Sequence, residues 1–590
     1  MNLEIRRRAA PVDVVLNDRL HPVLRRVYAA RGIRRDEELD VGLARLLPVG
    51  TLGGVSEAVE LLLRHRAGRI LVVGDFDADG ATSTALMVRA LRAWGFAHVD
   101  FLVPDRFIFG YGLTPGIVAV AVERRPSLLV TVDNGISSNA GVAAARAAGI
   151  EVLVTDHHLP GAELPAANVI VNPNTGPSLQ AGGFGSRSLA GVGVAFYVMA
   201  ALQRRLIAEG LLPVGVAGAA EWLDLVALGT VADVVPLDAN NRVLVAQGLQ
   251  RIRAGRCVPG ITALLQVAQR RRADLSATDL GFGVAPRLNA AGRLTDMTIG
   301  IQCLLTEDAA AAAQLALQLD GINRERREIE ARMQAEALAA VRHLEDSQPN
   351  RPLSAGPRRN GLCLFDEDWH QGVVGLVASR IKDRTGRPVV AFARAEDGSL
   401  RGSARSIAGV HIRDVFDAIA AHRPGLITRF GGHAMAAGLT LDAALLDEFA
   451  AAFDAEVERW VPGGTAQVLE TDGELVPDEI HLETAQALRA GGPWGQAFPE
   501  PTFDGIFTVR SSRVVGERHL KLWVEVPRTG RTFDAIAFNY LEGAGPEGQA
   551  AQGGVAALPE GEVRLVYRLD VNEYLEQKRL QLLVEKVLPP

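Results

Sequence analysis

The chain has 590 residues, 48% hydrophobic and 22% charged, an ordinary globular balance that excludes disorder over most of its length. On a prior of about 150 residues per domain it holds roughly four folding units, and a net charge of −7 means that any nucleic-acid role rests on local basic surface. No apolar run approaches the roughly 18 residues of a membrane span, and Cys257, Cys303 and Cys363 are too few and too scattered for a disulfide framework or a CxxC metal site.

Taken in chain order, residues 1–50 read as an N-terminal extension. Arg6, Arg7 and Arg8 are not followed by an apolar segment, so no secretory signal is expected, and the expected compartment is the cytoplasm. From Arg69 short apolar runs alternate with helical stretches. The runs are Ile70–Val73, Leu128–Val132, Val152–Thr155 and Val169–Val171; Thr82–Trp94 and Ser138–Ala148 read as helices between them. Buried runs of this length separated by helices predict βαβ units and a parallel sheet. Leu189–Leu206 and Ala217–Leu228 read as further apolar helices.

From Thr306 to about Glu345 there is no proline, and a helical pattern carries Leu315, Leu319, Ile322, Ile329 and Met333 among many charges. About 40 residues would make a rod of roughly 60 Å, shorter if Gly321 kinks it, which suits a connector between lobes. Ser347–Asn360 reads as a loop, Gly361 to about Trp460 as a second α/β unit, and Pro462–Gly464 as a joint. Five strand-like runs follow: Phe503–Val514, Leu520–Val526, Thr532–Phe538, Val563–Leu569 and Leu580–Val587. Gly543–Gly561 is a loop between the third and fourth. Five strands in about 90 residues are compatible with a small oligonucleotide-binding barrel. Arg510, Arg513, Arg518, Lys521 and Trp523 with Phe503 and Phe507 fit a single-strand groove with stacking platforms, although alternating aromatics equally describe a core.

Chemistry-bearing residues gather where apolar runs end. Asp75, Asp77 and Asp79 alternate directly after the first, Asp133 follows the second, and Asp156-His157-His158 closes the third. Asp233 ends the apolar segment Leu228–Ala232. Parallel strands bring their carboxyl ends together, and this edge is where open α/β sheets place their sites. An EF-hand fragment is excluded because Leu86, not Glu, stands at the twelfth position from Asp75. Bare, so many carboxylates repel; bound divalent cations remove the conflict. An oxygen-rich, imidazole-poor set favours Mn²⁺ or Mg²⁺ over Zn²⁺, and two such ions are the usual apparatus of phosphoester hydrolysis.

These motifs resemble the DHH phosphoesterase superfamily, and within it the branch of single-strand-specific 5′→3′ DNA exonucleases. The resemblance is carried by Gly74–Ser83 (GDFDADGATS), Pro104–Gly112 (PDRFIFGYG), Thr155–His158, Leu228–Pro236 and Pro286–Arg293 (PRLNAAGR). Trp369–Ile381 (WHQGVVGLVASRI), Gly402–Ser406 (GSARS), Gly431–Gly438 (GGHAMAAG) and Arg568–Tyr574 (RLDVNEY) extend it. It implies a parallel-sheet DHH catalytic domain (51–300), a connector helix (301–347), a DHH-associated α/β domain (348–460) and an all-β OB-fold domain (461–590).

For the site, the resemblance implies two cations, Mn²⁺ or Mg²⁺. Asp75, Asp77 and Asp133 would hold one; Asp79, Asp133, His157 and Asp233 would hold the other, with Asp133 bridging. His158 is then free for the scissile phosphate or the leaving oxygen, and Asp156 either orients an imidazole or caps its strand. Arg106, Arg287, Ser403 and Arg405 match positions that grip a 5′-terminal phosphate, as guanidinium forks beside a hydroxyl can. Gly431-Gly432-His433, expected at a helix start, would place N–H groups and His433 near another phosphate. Expected products are 5′-mononucleotides; expected partners are single-stranded DNA, a RecQ-like helicase and a single-strand-binding protein, with the chain a monomer off the membrane. Relatives acting on short oligoribonucleotides or cyclic dinucleotides lack the WHQGVVG helix and the terminal barrel, and non-catalytic DNA-binding scaffolds lose metal ligands present here.

Overall fold

The computed structural model describes residues 3–212, 215–346, 360–462, 467–516, 518–543, 558–574 and 577–590. The loops expected over Ser347–Asn360 and Gly543–Gly561 and the joint at Pro462–Gly464 fall largely outside them. Two compact units emerge: Met1–Arg6 with Arg324–Glu470, and Arg7–Asn323 with Thr471–Pro590.

In the smaller unit, β1 (Leu3–Arg7) and a later strand near residue 470 form a two-stranded sheet. In the larger unit the apolar runs become parallel strands β2 (Arg69–Gly74), β4 (Leu128–Val132), β5 (Glu151–Thr155) and β6 (Val169–Val171). A further strand, β3 (His98–Leu102), gives the sheet the order β3-β2-β4-β5-β6. β3 escapes a reading based on continuous apolar runs because it is an edge strand: His98 and Asp100 face solvent while Val99 and Leu102 are buried. The chain runs from β2 outward to β3 and then crosses back to β4 on the other side, so the topological switch point lies between β2 and β4. Register aligns Gly74 with Val132, Val132 with Thr155, and Thr155 with Val171. Asp75, Asp133 and Asp156, each one residue further on, therefore leave neighbouring strands at the same level, about 4.8 Å apart per strand.

Helix Ala78–Ala93 is buried along nearly its whole length, as is Gly191–Ala208. The latter is the one helix among the described residues long and apolar enough to cross a membrane, and 61% of it is buried inside the fold. Beyond β1, the N-terminal segment is part of the same body. Tyr28 Oη donates to Gly491 O at 2.8 Å, and Arg31 forms a fully buried ion pair with Asp472 at 2.7 Å.

A closed barrel completes the larger unit. Counting β7 (Leu362–Phe365), β8 (Val389–Arg394), β9 (Leu400–Arg405), β10 (Arg429–Gly432), β11 (Ala436–Leu441) and β12 (Gln467–Thr471) before it, the barrel strands are β13 (Phe503–Val515), β14 (His519–Glu525), β15 (Thr532–Ala537), β16 (Gly561–Tyr574) and β17 (Gln577–Leu588). They close in the order β13-β14-β15-β17-β16. Phe503 and Phe507 point into this barrel and are fully buried with Leu522, Leu565 and Tyr567, so the stacking role read from their alternation is corrected to a core role. Trp523, 45% exposed, remains outside.

In the smaller unit β7–β11 form a mixed sheet, order β10-β11-β9-β8-β7, over a core of Phe392, Phe416, Phe449 and Phe453. The connector is one helix, Ala309–Asp346, of 38 residues or about 57 Å, and it runs unbroken through Gly321.

Candidate active site

The DFDAD segment is folded by its glycine and its caps. Asp77 is the N-cap of helix Ala78–Ala93, its carboxylate accepting from Gly80 N at 2.9 Å. A Cβ on Gly80 would stand 2.5 Å from Asp75 O, so only glycine lets the helix start this close to the strand end. The three aspartates converge because the second ends a loop and the third begins a helix. Asp79 is anchored from the opposite side: its oxygens accept the backbone N–H groups of Gly191 (2.6 Å) and Val192 (2.9 Å), at the positive end of helix Gly191–Ala208. Gly191 is again obligatory, since a Cβ there would lie 2.6 Å from that of Asp133. Asp133 itself sits in the left-handed region at φ 62°, a conformation Asp tolerates. Asp233 caps the C-terminus of helix Leu223–Ala232, and the next residue, Val234, is held at φ 61°. A β-branched residue there stores strain on the order of 1–3 kcal/mol beside the site.

These placements bring three groups of possible ligand atoms together, one of them Asp133, Asp156, His157 and His158. Oxygens of Asp75, Asp77 and Asp133 lie within 4.8 Å of one another, as do donor atoms of Asp79, His157 and Asp233. His157 Nε2 is 3.0 Å from Asp133, 3.5 Å from Asp233 and 4.0 Å from Asp79. Yet Asp75 Oδ1, Asp133 Oδ1, Asp233 Oδ2 and His157 Nε2 are buried with no hydrogen-bond partner. The 3.0 Å approach is thus proximity without hydrogen-bond geometry. Four orphaned donor atoms in one buried cluster are costly unless a cation takes them.

The titration directions agree. Burial first, then mutual repulsion, pushes Asp75 and Asp133 well above the usual carboxylate range, and pushes Asp79 and Asp233 up to about 7. Burial also lowers His157, keeping it neutral, the state in which imidazole binds metal. The residues fit a pair of hard, oxygen-preferring divalent cations.

Asp156 is different. Burial would raise it, but hydrogen bonds hold it below the usual range. It accepts from Ile136 N (2.9 Å), His157 N (2.7 Å), His158 N (3.1 Å) and His158 Nδ1 (2.7 Å). It therefore both caps its strand and orients an imidazole. Although burial opposes the charge, the Asp156 bond raises His158 to about 9.

Several supporting residues carry no signal in a search for acid clusters. Tyr111 Oη lies 3.2 Å from His158 Nδ1 and donates to Asp133 O at 3.3 Å. Asn172 and Asn174, after β6, donate to His158 O (3.0 Å) and His157 O (2.8 Å). Asn289 Oδ1 accepts from Ala78 N at 2.8 Å, and Gly292 leaves room for Phe76 O, which would be 1.7 Å from a Cβ there. The signal for the asparagines was available: a fourth strand end, polar like the other three.

Arg106 stacks over the Phe76 ring at 4.5 Å; burial lowers its pKa, opposed by Asp75 and Asp77. Arg287 is bound instead to Asp320 (2.8 Å), with Gly283 O and Val267 O as further acceptors. In the smaller unit Ser403 and Arg405 share a face of β9, Arg405 Nη1 donating to Ser403 Oγ at 3.0 Å and Ala404 O at 2.8 Å. Arg405 is half-buried and has no carboxylate partner among the described residues, and burial lowers its pKa. A Cβ on Gly375, at the start of helix Val374–Thr385, would lie 2.9 Å from both side chains. The expectation for Gly431-Gly432-His433 is corrected: β10 ends at Gly432, and His433 N donates to Ala436 O at 2.8 Å in the turn into β11. Gly432, at φ 142°, is needed for this tight hairpin, not for a helix start.

Residues 69–230 match the DHH family, N-terminal domain; residues 359–459 match the DHHA1 domain, and residues 471–586 the RecJ OB domain. The single-stranded-DNA-specific exonuclease RecJ of Dickeya dadantii (strain 3937) is 52% identical over 589 residues, 99% of this chain and 99% of its own. The chain belongs to the RecJ family. Two crystal structures of RecJ from Thermus thermophilus resemble it over its full length. The Mn²⁺ complex has a TM-score of 0.78 and 31% identity, 80% of that chain being covered; the Mg²⁺ complex has 0.73 and 29%, with 79% covered. The DHH, DHHA1 and OB domains are thus those of the RecJ family, and the donor set suits the cations named for those two structures.

Proposed function

We propose that the chain is a metal-dependent hydrolase that shortens single-stranded DNA from its 5′ end, releasing 5′-mononucleotides in DNA repair and recombination. The observation that carries this reading is the cluster of orphaned, mutually repelling donors at the switch point, in a chain of RecJ-family architecture. Asp75, Asp77 and Asp133 are proposed to hold one cation; Asp79, Asp133, His157 and Asp233 hold the other. When bound, Mn²⁺ or Mg²⁺ ions there neutralise the phosphate and make a water acidic enough to attack it at neutral pH.

The chain's own residues do the rest. His158, fixed by Asp156 and Tyr111, holds a proton at the ring nitrogen that faces the substrate, where it can pass to the leaving oxygen. Arg106, braced on Phe76, offers a desolvated guanidinium to a phosphate oxygen. Ser403 and Arg405 form a pre-bonded hydroxyl–guanidinium pair without a carboxylate to neutralise it, which suits a terminal phosphate dianion. His433, at a hairpin tip, is proposed as a further substrate contact. Arg287 would have to exchange Asp320 to reach a phosphate, so its proposed role is to brace the turn at Gly283. A RecQ-like helicase and a single-strand-binding protein are the proposed partners of a monomer working in the cytoplasm, on the strength of the family resemblance.

Digestion of end-labelled single strands with Mn²⁺ or Mg²⁺ tests the reading. Loss from the 5′ end is expected, with Arg405→Ala mainly weakening the preference for 5′-phosphorylated over 5′-hydroxyl ends. Loss from the 3′ end, or attack within duplexes, contradicts it.

A further inference from the structure

Among the described residues of the larger unit Phe282 is the most exposed large aromatic, 80% exposed on a well-packed segment. It sits in the middle of a single π turn, Leu280–Val284, a geometry that recurs at functional sites. A glycine on each side ties the turn to a different neighbour. A Cβ on Gly281 would stand 3.2 Å from Val231 Cγ1, and Val231 is two residues before Asp233 of the acid cluster. A Cβ on Gly283 would stand 3.3 Å from the Arg270 side chain, and Gly283 O accepts from Arg287. The ring is therefore fixed between the helix end that delivers Asp233 and a patch of arginines. Val234, beside Asp233, is a second apolar side chain, 63% exposed.

Beyond Arg270 opens a recess of about 390 Å³ lined by Arg253, Thr262, Gln266, Arg270 and Arg272. Arg270 approaches Asp279 at 3.4 Å, and Arg253 donates Nε and Nη2 to Leu275 O, leaving Nη1; Asp274 and Asp279 act on Arg253 from a distance, but neither Arg253 nor Arg272 has a carboxylate within ion-pair distance among the described residues. The recess is cationic in a chain whose net charge is −7. An exposed ring followed by an under-neutralised arginine recess matches a base followed by its backbone phosphate.

We propose that this surface is the track for the strand beyond the cleaved bond: Phe282 stacks a nucleobase, and the recess of Arg253, Arg270 and Arg272 takes a backbone phosphate. The proposal rests on the single-strand nuclease reading and adds residues, beside the helix end that delivers Asp233, that hold the retained strand. Phe282 is a positioning residue that leaves the reacting atoms untouched. A stacked base alone requires an unpaired strand, so the track also contributes to single-strand selectivity.

The test is a length series of 5′-phosphorylated strands with the full-length protein and Mn²⁺. Phe282→Ala is expected to raise KM for a 12-nucleotide strand about five- to tenfold, the scale of one lost base stack. It should leave kcat and the kinetics on the shortest strand that wild type hydrolyses unchanged, with Phe282→Trp restoring KM. Arg272→Ala should flatten the salt dependence of 12-mer affinity by about 0.7 in log–log slope, one phosphate contact. An unchanged KM on the 12-mer, or an equal loss on the shortest strand, overturns the track. Anisotropy of a labelled 12-mer in chelator separates this from failure of the nuclease reading: if wild type cleaves nothing, Phe282→Ala still weakens binding if the track exists and leaves it unchanged if it does not.

Discussion

Asp156 and His158 divide their labour by hydrogen bonding. Asp156 accepts four N–H groups, so it has little left to offer a cation, while its 2.7 Å bond engages Nδ1 of His158 and the other ring nitrogen lies 3.3 Å from Tyr111 Oη. Asp156→Asn removes the charge and retains the shape. It is expected to lower kcat by about 10²–10⁴, the usual contribution of a positioned acid, with KM nearly unchanged. Steady-state kinetics on a 5′-phosphorylated strand measures this; an equal loss in substrate affinity would show that Asp156 builds the binding surface instead. Roles at this scale were only partly legible in the sequence. Clustered acids at the ends of apolar runs announce a cation site, but which acid is already saturated depends on backbone N–H groups, such as that of Ile136, that no motif names. Tyr111 was hidden for the same reason: its partners are a main-chain oxygen and a neighbouring ring.

Elements behaved as their burial dictates. β2, β4 and β5 are buried on both faces and read as unbroken apolar runs, whereas β3, half-exposed at the edge, blends into its surroundings. Phe503 and Phe507 show the limit of alternation: period two says that they share a face but not whether that face is inside. The Gly-Gly pair before His433 was ambiguous because glycine serves a hairpin at positive φ as readily as a phosphate-binding helix start. The connector helix gives a clean test of local propensity. Gly321 lies in its interior, with nothing within 4 Å of where its Cβ would be. Gly321→Ala is expected to stabilise the protein by about 0.5–1 kcal/mol, read as a raised midpoint in urea denaturation. A lowered midpoint would mean that the helix requires glycine there.

At the scale of the whole molecule, the acid cluster couples folding to protons and cations. Asp79 and Asp233 titrate at about 7 in the folded, cation-free protein, against about 4 in the unfolded chain. Their folded pKa values are raised, so their stabilising contribution is full below about pH 4 and is lost as pH rises through about 7. Without metal, Tm is expected to fall between about pH 5 and pH 8, and to fall less in Asp233→Asn. Added Mn²⁺ should raise Tm more at about pH 8 than at about pH 6, because cations compete with protons for these oxygens. Differential scanning fluorimetry in chelator and in Mn²⁺ measures both, and a wild-type slope no steeper than that of Asp233→Asn would contradict the buried repulsion. The most direct measurement is anomalous diffraction at the manganese edge from crystals soaked in Mn²⁺. Two peaks about 3.5–4 Å apart are predicted, one against Asp75, Asp77 and Asp133 and the other against Asp79, Asp133, His157 and Asp233. No peak at the switch point, or a single one that ignores Asp133, would contradict the account.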